Sequence, residues 1–142
     1  MSEREAFVVR TDAVPLGDAV RLTLTVELPP RTHIEPHRPA EPFLVPTMLF
    51  VDDLDDVNVD YPEPVVRELG WDGLTLTVLE GAVDFVVTAR VPDSLRRIRG
   101  TLRYQPCVGG ACLPPRTVPW EAPVTGGTAY SVLGALAGTS AG

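Results

Sequence analysis

Hydrophobic and polar residues alternate with a period of two along most of this chain. The clearest run is 19–28, where Val20, Leu22, Leu24, Val26 and Leu28 interleave with Arg21, Thr23, Thr25 and Glu27. That pattern arises when one face of a strand is buried and the other meets water. Leu74, Leu76 and Val78 alternate with threonines, and Val83, Phe85, Val87, Ala89 and Val91 alternate with outward Asp84, Thr88 and Arg90. Ile98, Gly100, Leu102 and Tyr104 repeat the pattern against Arg99, Thr101 and Arg103, and Val118, Trp120, Ala122 and Val124 mark a return strand. Phe7-Val8-Val9 predicts a first edge strand within 6–14, and 47–51 predicts a short one. No segment sustains a helical period.

The punctuation fits short strands. Fifteen Pro and twelve Gly favour many turns over long helices. Leu16-Gly17-Asp18 and Pro92-Asp93-Ser94 read as turns, Pro29-Pro30 ends a strand, and 31–46 reads as an extended, proline-punctuated connection. Asp60-Tyr61-Pro62-Glu63-Pro64 carries two prolines and reads as an ordered loop, because proline breaks both a central ladder and a helix interior. Seven or eight strands at a spacing of about 8–12 residues predict an all-β, antiparallel β-sandwich. We divide the chain into a lead-in with an edge strand (1–17), a sandwich (18–124) and a flexible Gly/Ala/Ser/Thr-rich tail (125–142).

Composition narrows the function. At 142 residues the chain is long enough to bury one core without staples. Its 44% hydrophobic and 6% aromatic content predicts an aliphatic core, with Trp71 and Trp120 as packing residues. A formal net charge of −7 argues against nucleic acid and anionic membrane as partners. No apolar run approaches the ~20 residues of a membrane-spanning helix, and the charged start Met1-Ser2-Glu3-Arg4-Glu5 shows no secretory signal.

The chemistry concentrates in Tyr104-Gln105-Pro106-Cys107-Val108-Gly109-Gly110-Ala111-Cys112-Leu113-Pro114-Pro115, which holds both cysteines of the chain. Gly109-Gly110 allows the chain to double back, which places the pair at the tip of a β-hairpin. A disulfide there closes a ring of about six residues, for which chain entropy predicts roughly 2 kcal/mol, against about 4.7 for a 100-residue loop. A structural staple is therefore a weak explanation. Thiol–disulfide exchange, in which one thiolate attacks and the second resolves the mixed intermediate, suits a surface pair better. A non-catalytic interaction sandwich with a structural disulfide is the alternative.

The motif Tyr-Gln-Pro-Cys-x4-Cys-Leu-Pro-Pro-Arg-Thr-Val resembles the signature of the N-terminal domain of the thiol:disulfide interchange protein DsbD, the disulfide bond corrector family. Upstream, Pro29-Pro30-Arg31-Thr32-His33-Ile34, the segment 42–47, Tyr61-Pro62-Glu63-Pro64 and Glu80-Gly81 are similar to family segments in the same order. The resemblance implies an immunoglobulin-like, extracytoplasmic domain. Such a domain takes electrons from a membrane-embedded or thioredoxin-like donor and passes them to thioredoxin-fold proteins, with no further cofactor. It implies that Cys112 forms the mixed disulfide and Cys107 resolves it. It also implies that a cap built from Asp60, Tyr61, Pro62 and Glu63 covers the pair, with Tyr61 the covering side chain. Tyr104 and Pro114 are the candidate supports of the disulfide, although the strand parity of Tyr104 also suits a core residue. We expect a monomer without direct membrane insertion. Lacking a visible export signal, the chain leaves a cytoplasmic location open.

Other clusters are less specific. His33 and His37, with the cysteines, have the ligand types of a zinc site, but Pro36 intervenes and about seventy residues separate the two pairs, so we assign no metal. Asp52, Asp53, Asp55 and Asp56 lack the Gly and bidentate Glu of an EF-hand loop and read as a solvated turn. No Ser-His-Asp set, phosphate-binding loop or carboxylate pair points to a hydrolase or nucleotide enzyme.

Overall fold

The computed structural model describes residues 7–68, 75–124 and 127–130. Trp71 and Leu74 lie outside the described residues. In chain order the strands are Phe7–Leu16 (β1), Ala19–Glu27 (β2), Thr32–Ile34 (β3), Met48–Val51 (β4), Asn58–Asp60 (β5), Val65–Glu68 (β6), Thr75–Glu80 (β7), Ala82–Arg90 (β8), Arg97–Tyr104 (β9), Cys107–Val108 (β10), Ala111–Cys112 (β11), Arg116–Pro123 (β12) and Gly127–Tyr130 (β13). The described residues contain no helix.

They form three antiparallel sheets, in the orders β13-β1-β2-β8-β5, β11-β10-β3-β7-β6 and β12-β9-β4. Gly17, at φ 66°, makes the tight turn from β1 to β2 that a side chain would strain. In β1 the register slips by one residue between Val8 and Arg10. This bulge reverses the inward parity, so Val8 and Thr11 are both buried although an uninterrupted strand would point them to opposite faces.

One continuous core joins the sheets. Val20, Leu22, Leu24 and Val26 from β2 and Phe85, Val87 and Ala89 from β8 meet Ile98, Leu102, Tyr104, Trp120 and Ala122 from β9 and β12. Ile34 and Leu79, paired across β3 and β7, bring the cysteine-bearing sheet into the same cluster. Gly100 is directly across from Trp120. A Cβ there would fall 1.8 Å from the Phe50 carbonyl oxygen and 2.7 Å from the Trp120 ring, so the bare backbone is what lets the indole lie flat on β9.

Three features differ from the sequence expectations. β1 is not an edge, because β13 pairs with its outer side; that strand comes from the Gly/Ala/Ser/Thr-rich segment expected as a tail. The connection 31–46 contains β3, whose three residues are too few to show alternation. Val65–Glu68 forms β6 with all four residues exposed, so no buried face marks it in the sequence.

Candidate functional site

The two cysteines sit in a minimal hairpin. Cys107 pairs with Cys112 and Val108 with Ala111, around the two-residue turn Gly109-Gly110. Only the first glycine has positive φ (62°), as in a type II′ turn, whose twist matches antiparallel strands. The sulfurs are joined as a disulfide.

Beyond the cysteines, the Leu113 N–H donates to the Pro106 carbonyl at 2.9 Å. Residues 106 and 113 thus form a hydrogen-bonded pair, so Cys107 and Cys112 occupy the adjacent non-hydrogen-bonded pair, where side chains approach most closely. Pro106 has no N–H to return to Leu113. Gln105 supplies the donor instead, its Nε2 reaching the Leu113 carbonyl at 3.1 Å.

The inner edge of the hairpin is anchored on β3, where Cys107 pairs with His33 and Val108 with Thr32. The Gly109 N–H donates to the Arg31 carbonyl at 3.3 Å. Arg31 lies at φ 64° in the turn closed by the Thr32 N–H on the Pro29 carbonyl. This is a type II turn with Pro30 first and a non-glycine residue in the left-handed position. The Pro29-Pro30 step therefore both ends β2 and presents a carbonyl to the hairpin tip. On the far side of β3, His33 pairs with Glu80 and Ile34 with Leu79.

The two cysteines are unequally exposed. Cys107 is 3% exposed, whereas Cys112 is exposed on β11, the outermost strand of its sheet. Because the Cys107–Cys112 pair is non-hydrogen-bonded, the Cys112 N–H and C=O point away from β10. Among the described residues no strand pairs with that edge. Solvent thus reaches Cys112, whereas the protein covers Cys107.

The other expected residues are distributed differently. Asp60 closes β5, and the chain then crosses to β6, at the opposite edge of the sheet from β11. Tyr61 is half-buried; its hydroxyl accepts the Leu49 N–H at 3.0 Å, and its ring stacks on His37 at 3.8 Å and meets the edge of Phe85. Pro62 is partly buried and Glu63 is exposed. Among the described residues, no hydrogen bond, ion pair or ring contact joins 60–63 to the hairpin. Tyr104 is fully buried within the core, and Pro114 is exposed.

His37 places Nδ1 3.0 Å from the Thr47 carbonyl and stacks on Tyr61. Among the described residues no three His, Cys, Asp or Glu side chains converge as a metal site. The acidic run lies in the turn after β4; Asp53 and Asp56 adopt left-handed backbone, and Asp56 pairs with Arg90 at 3.6 Å.

In sequence His33 reads as a surface or packing residue, a weak metal-ligand candidate and part of the Pro29–Ile34 resemblance; the fold makes it the residue across from Cys107. Burial lowers its pKa, while the Glu80 carboxylate works in the opposite sense. Glu35, two residues on, is 3% exposed, and its Oε1 has no hydrogen-bond partner. Burial raises its pKa.

A β-sandwich carrying an edge-strand disulfide defines the class. No protein-family model matches the sequence, and no curated protein sequence gives a significant match. Solved structures do match in fold. The N-terminal periplasmic domain of ScsB from Proteus mirabilis superposes with a TM-score of 0.60 at 16% identity, over 86% of this chain and 54% of that one. The chain thus spans about half the length of that structure. The reduced N-terminal domain of DsbD from Neisseria meningitidis gives 0.51 at 16% identity, over 88% of this chain and 90% of that one. The fold is therefore the immunoglobulin-like sandwich of the DsbD N-terminal domain.

Proposed function

We propose that this protein is a thiol–disulfide exchange domain that relays electrons through Cys107 and Cys112 to thioredoxin-fold partners. One observation carries the reading: the bonded cysteines differ in access, with Cys107 at 3% exposure and Cys112 on an open sheet edge. A staple has no need of that asymmetry, whereas exchange through a mixed disulfide uses it, with an accessible sulfur to attack and a sheltered one to resolve. The outward N–H and C=O of Cys112 also suit a partner that pairs as an added strand while its cysteine approaches.

In this reading Cys112 forms the mixed disulfide and Cys107 resolves it. The domain works outside the cytoplasm and is recharged by a membrane-embedded or thioredoxin-like donor, as the fold neighbours and the sequence resemblance support. The covering role of 60–63 rests on the resemblance alone, since the contacts of Tyr61 run to Leu49, His37 and Phe85. Tyr104 acts as support from within the core, and Pro114 by ending the hairpin before β12.

Equilibration with glutathione buffers tests the reading. A reversible two-electron couple near the poise of exchange proteins supports it. A potential below about −300 mV, with marked loss of stability on reduction, identifies a structural disulfide instead.

A further inference from the structure

We propose that His33 accepts the Cys107 proton in the resolving step, an inference that rests on the exchange reading above. Cys112, Cys107, His33 and Glu80 form one unbroken row across β11, β10, β3 and β7, each directly paired with the next. Directly paired residues project from the same face with Cβ atoms about 5 Å apart, so the imidazole is the cross-strand neighbour of the buried sulfur. Glu80 closes the row and is itself held by the Arg67 guanidinium from β6. The row has the order of a nucleophile, a base and an orienting carboxylate.

Electrostatics fit the role. The charged and titratable groups paired across from His33 are Glu80 on β7, with Arg67 bonded to it, and Cys107 on β10 with Cys112 beyond it on β11; Arg31 and Glu35 flank it two residues away along its own segment. Half-burial favours the neutral imidazole, the form able to take a proton, and Glu80 stabilises the imidazolium that results. A thiol at a position as buried as Cys107 ionises poorly without such help.

In the mixed disulfide, Cys112 Sγ is bonded to the partner sulfur, and Cys107 carries S–H. The proton passes to His33, the Cys107 thiolate forms the bond to Cys112 Sγ, and the partner leaves as its thiolate. The partner gains the two electrons, and the His33 proton is lost to solvent or to the departing thiolate. In the reverse direction His33 returns a proton to Cys107 as that thiolate is expelled.

The test reacts the reduced full chain with oxidised glutathione and follows the Cys112–glutathione adduct by rapid acid quench and intact mass. In His33→Gln, adduct formation should match the wild type, while its resolution at pH 7 slows roughly tenfold to a hundredfold, so the adduct accumulates. The difference should narrow as the pH is raised, because hydroxide then takes the thiol proton in place of the imidazole. His33→Asn should behave alike, which separates the lost base from a fault peculiar to one side chain. Resolution at the wild-type rate in both variants overturns the inference, as does slowing that persists undiminished at high pH. A wild type that forms no adduct removes the exchange reading and this inference together, whereas normal wild-type exchange with unaffected variants removes this inference alone.

Discussion

Gln105 donates its side-chain amide to the Leu113 carbonyl at 3.1 Å, filling the place of the backbone N–H that Pro106 lacks. The proline that stiffens the approach to Cys107 thus depends on its neighbour to complete the hairpin ladder. Gln105→Ala leaves that carbonyl without its donor and should cost about 1 kcal/mol. Urea denaturation of the oxidised protein measures this, and Gln105→Glu, which keeps length but offers no N–H, should lose at least as much.

Gly100 has no room for a side chain between the Phe50 carbonyl and the Trp120 ring. Gly100→Ala must displace either β4 or the indole, at about 2–3 kcal/mol. The expected readouts are a lower urea midpoint and an altered tryptophan emission. Trp120→Phe combined with Gly100→Ala should recover part of the loss, because the smaller ring relieves one of the two contacts.

Tyr61→Phe removes the hydroxyl that accepts the Leu49 N–H while leaving the ring stack on His37. A loss of about 1–2 kcal/mol is expected, the cost of an unpartnered donor within a sandwich edge. Chemical denaturation at neutral pH reads it directly.

Two groups whose pKa values burial shifts in opposite directions set opposing pH trends. Glu35 has its pKa raised by burial, so its proton is bound more tightly folded than unfolded, and its contribution declines as pH rises above its ordinary value near 4.5. His33 has its pKa lowered, chiefly by burial, so the stability it permits is present above its ordinary 6.5 and is lost as pH falls through its lower folded value. Glu35→Gln should therefore stabilise the protein at pH 7 and make little difference at pH 4. His33→Gln should flatten the loss of stability between neutral and mildly acidic pH. Urea midpoints across that range separate the two.

Much of this was legible in the chain. The alternation of Val20, Leu22, Leu24 and Val26 foretold a strand with one buried face, and all four lie in the core. Ile98, Leu102 and Tyr104 did the same for the strand that delivers the cysteines. The Cys-x4-Cys spacing around Gly109-Gly110 foretold a hairpin and a closable pair. What escaped was short or one-sided. Thr32–Ile34 has too few residues to reveal a period, and Val65–Glu68 buries none of them. Because β3 was hidden, so was its register, and His33 could not be recognised as the neighbour of Cys107. The anchoring of Tyr61 on Leu49 likewise joins segments that no local pattern connects.

The unequal exposure of Cys107 and Cys112 is what assigns their roles, and partner trapping tests that assignment most directly. Cys107→Ser and Cys112→Ser should each be incubated with an oxidised thioredoxin-fold protein and resolved on non-reducing gels. Cys107→Ser should give a mixed disulfide, because Cys112 remains to attack and Cys107 is no longer there to resolve it, and Cys112→Ser should give none. Trapping by Cys112→Ser and not by Cys107→Ser would contradict it.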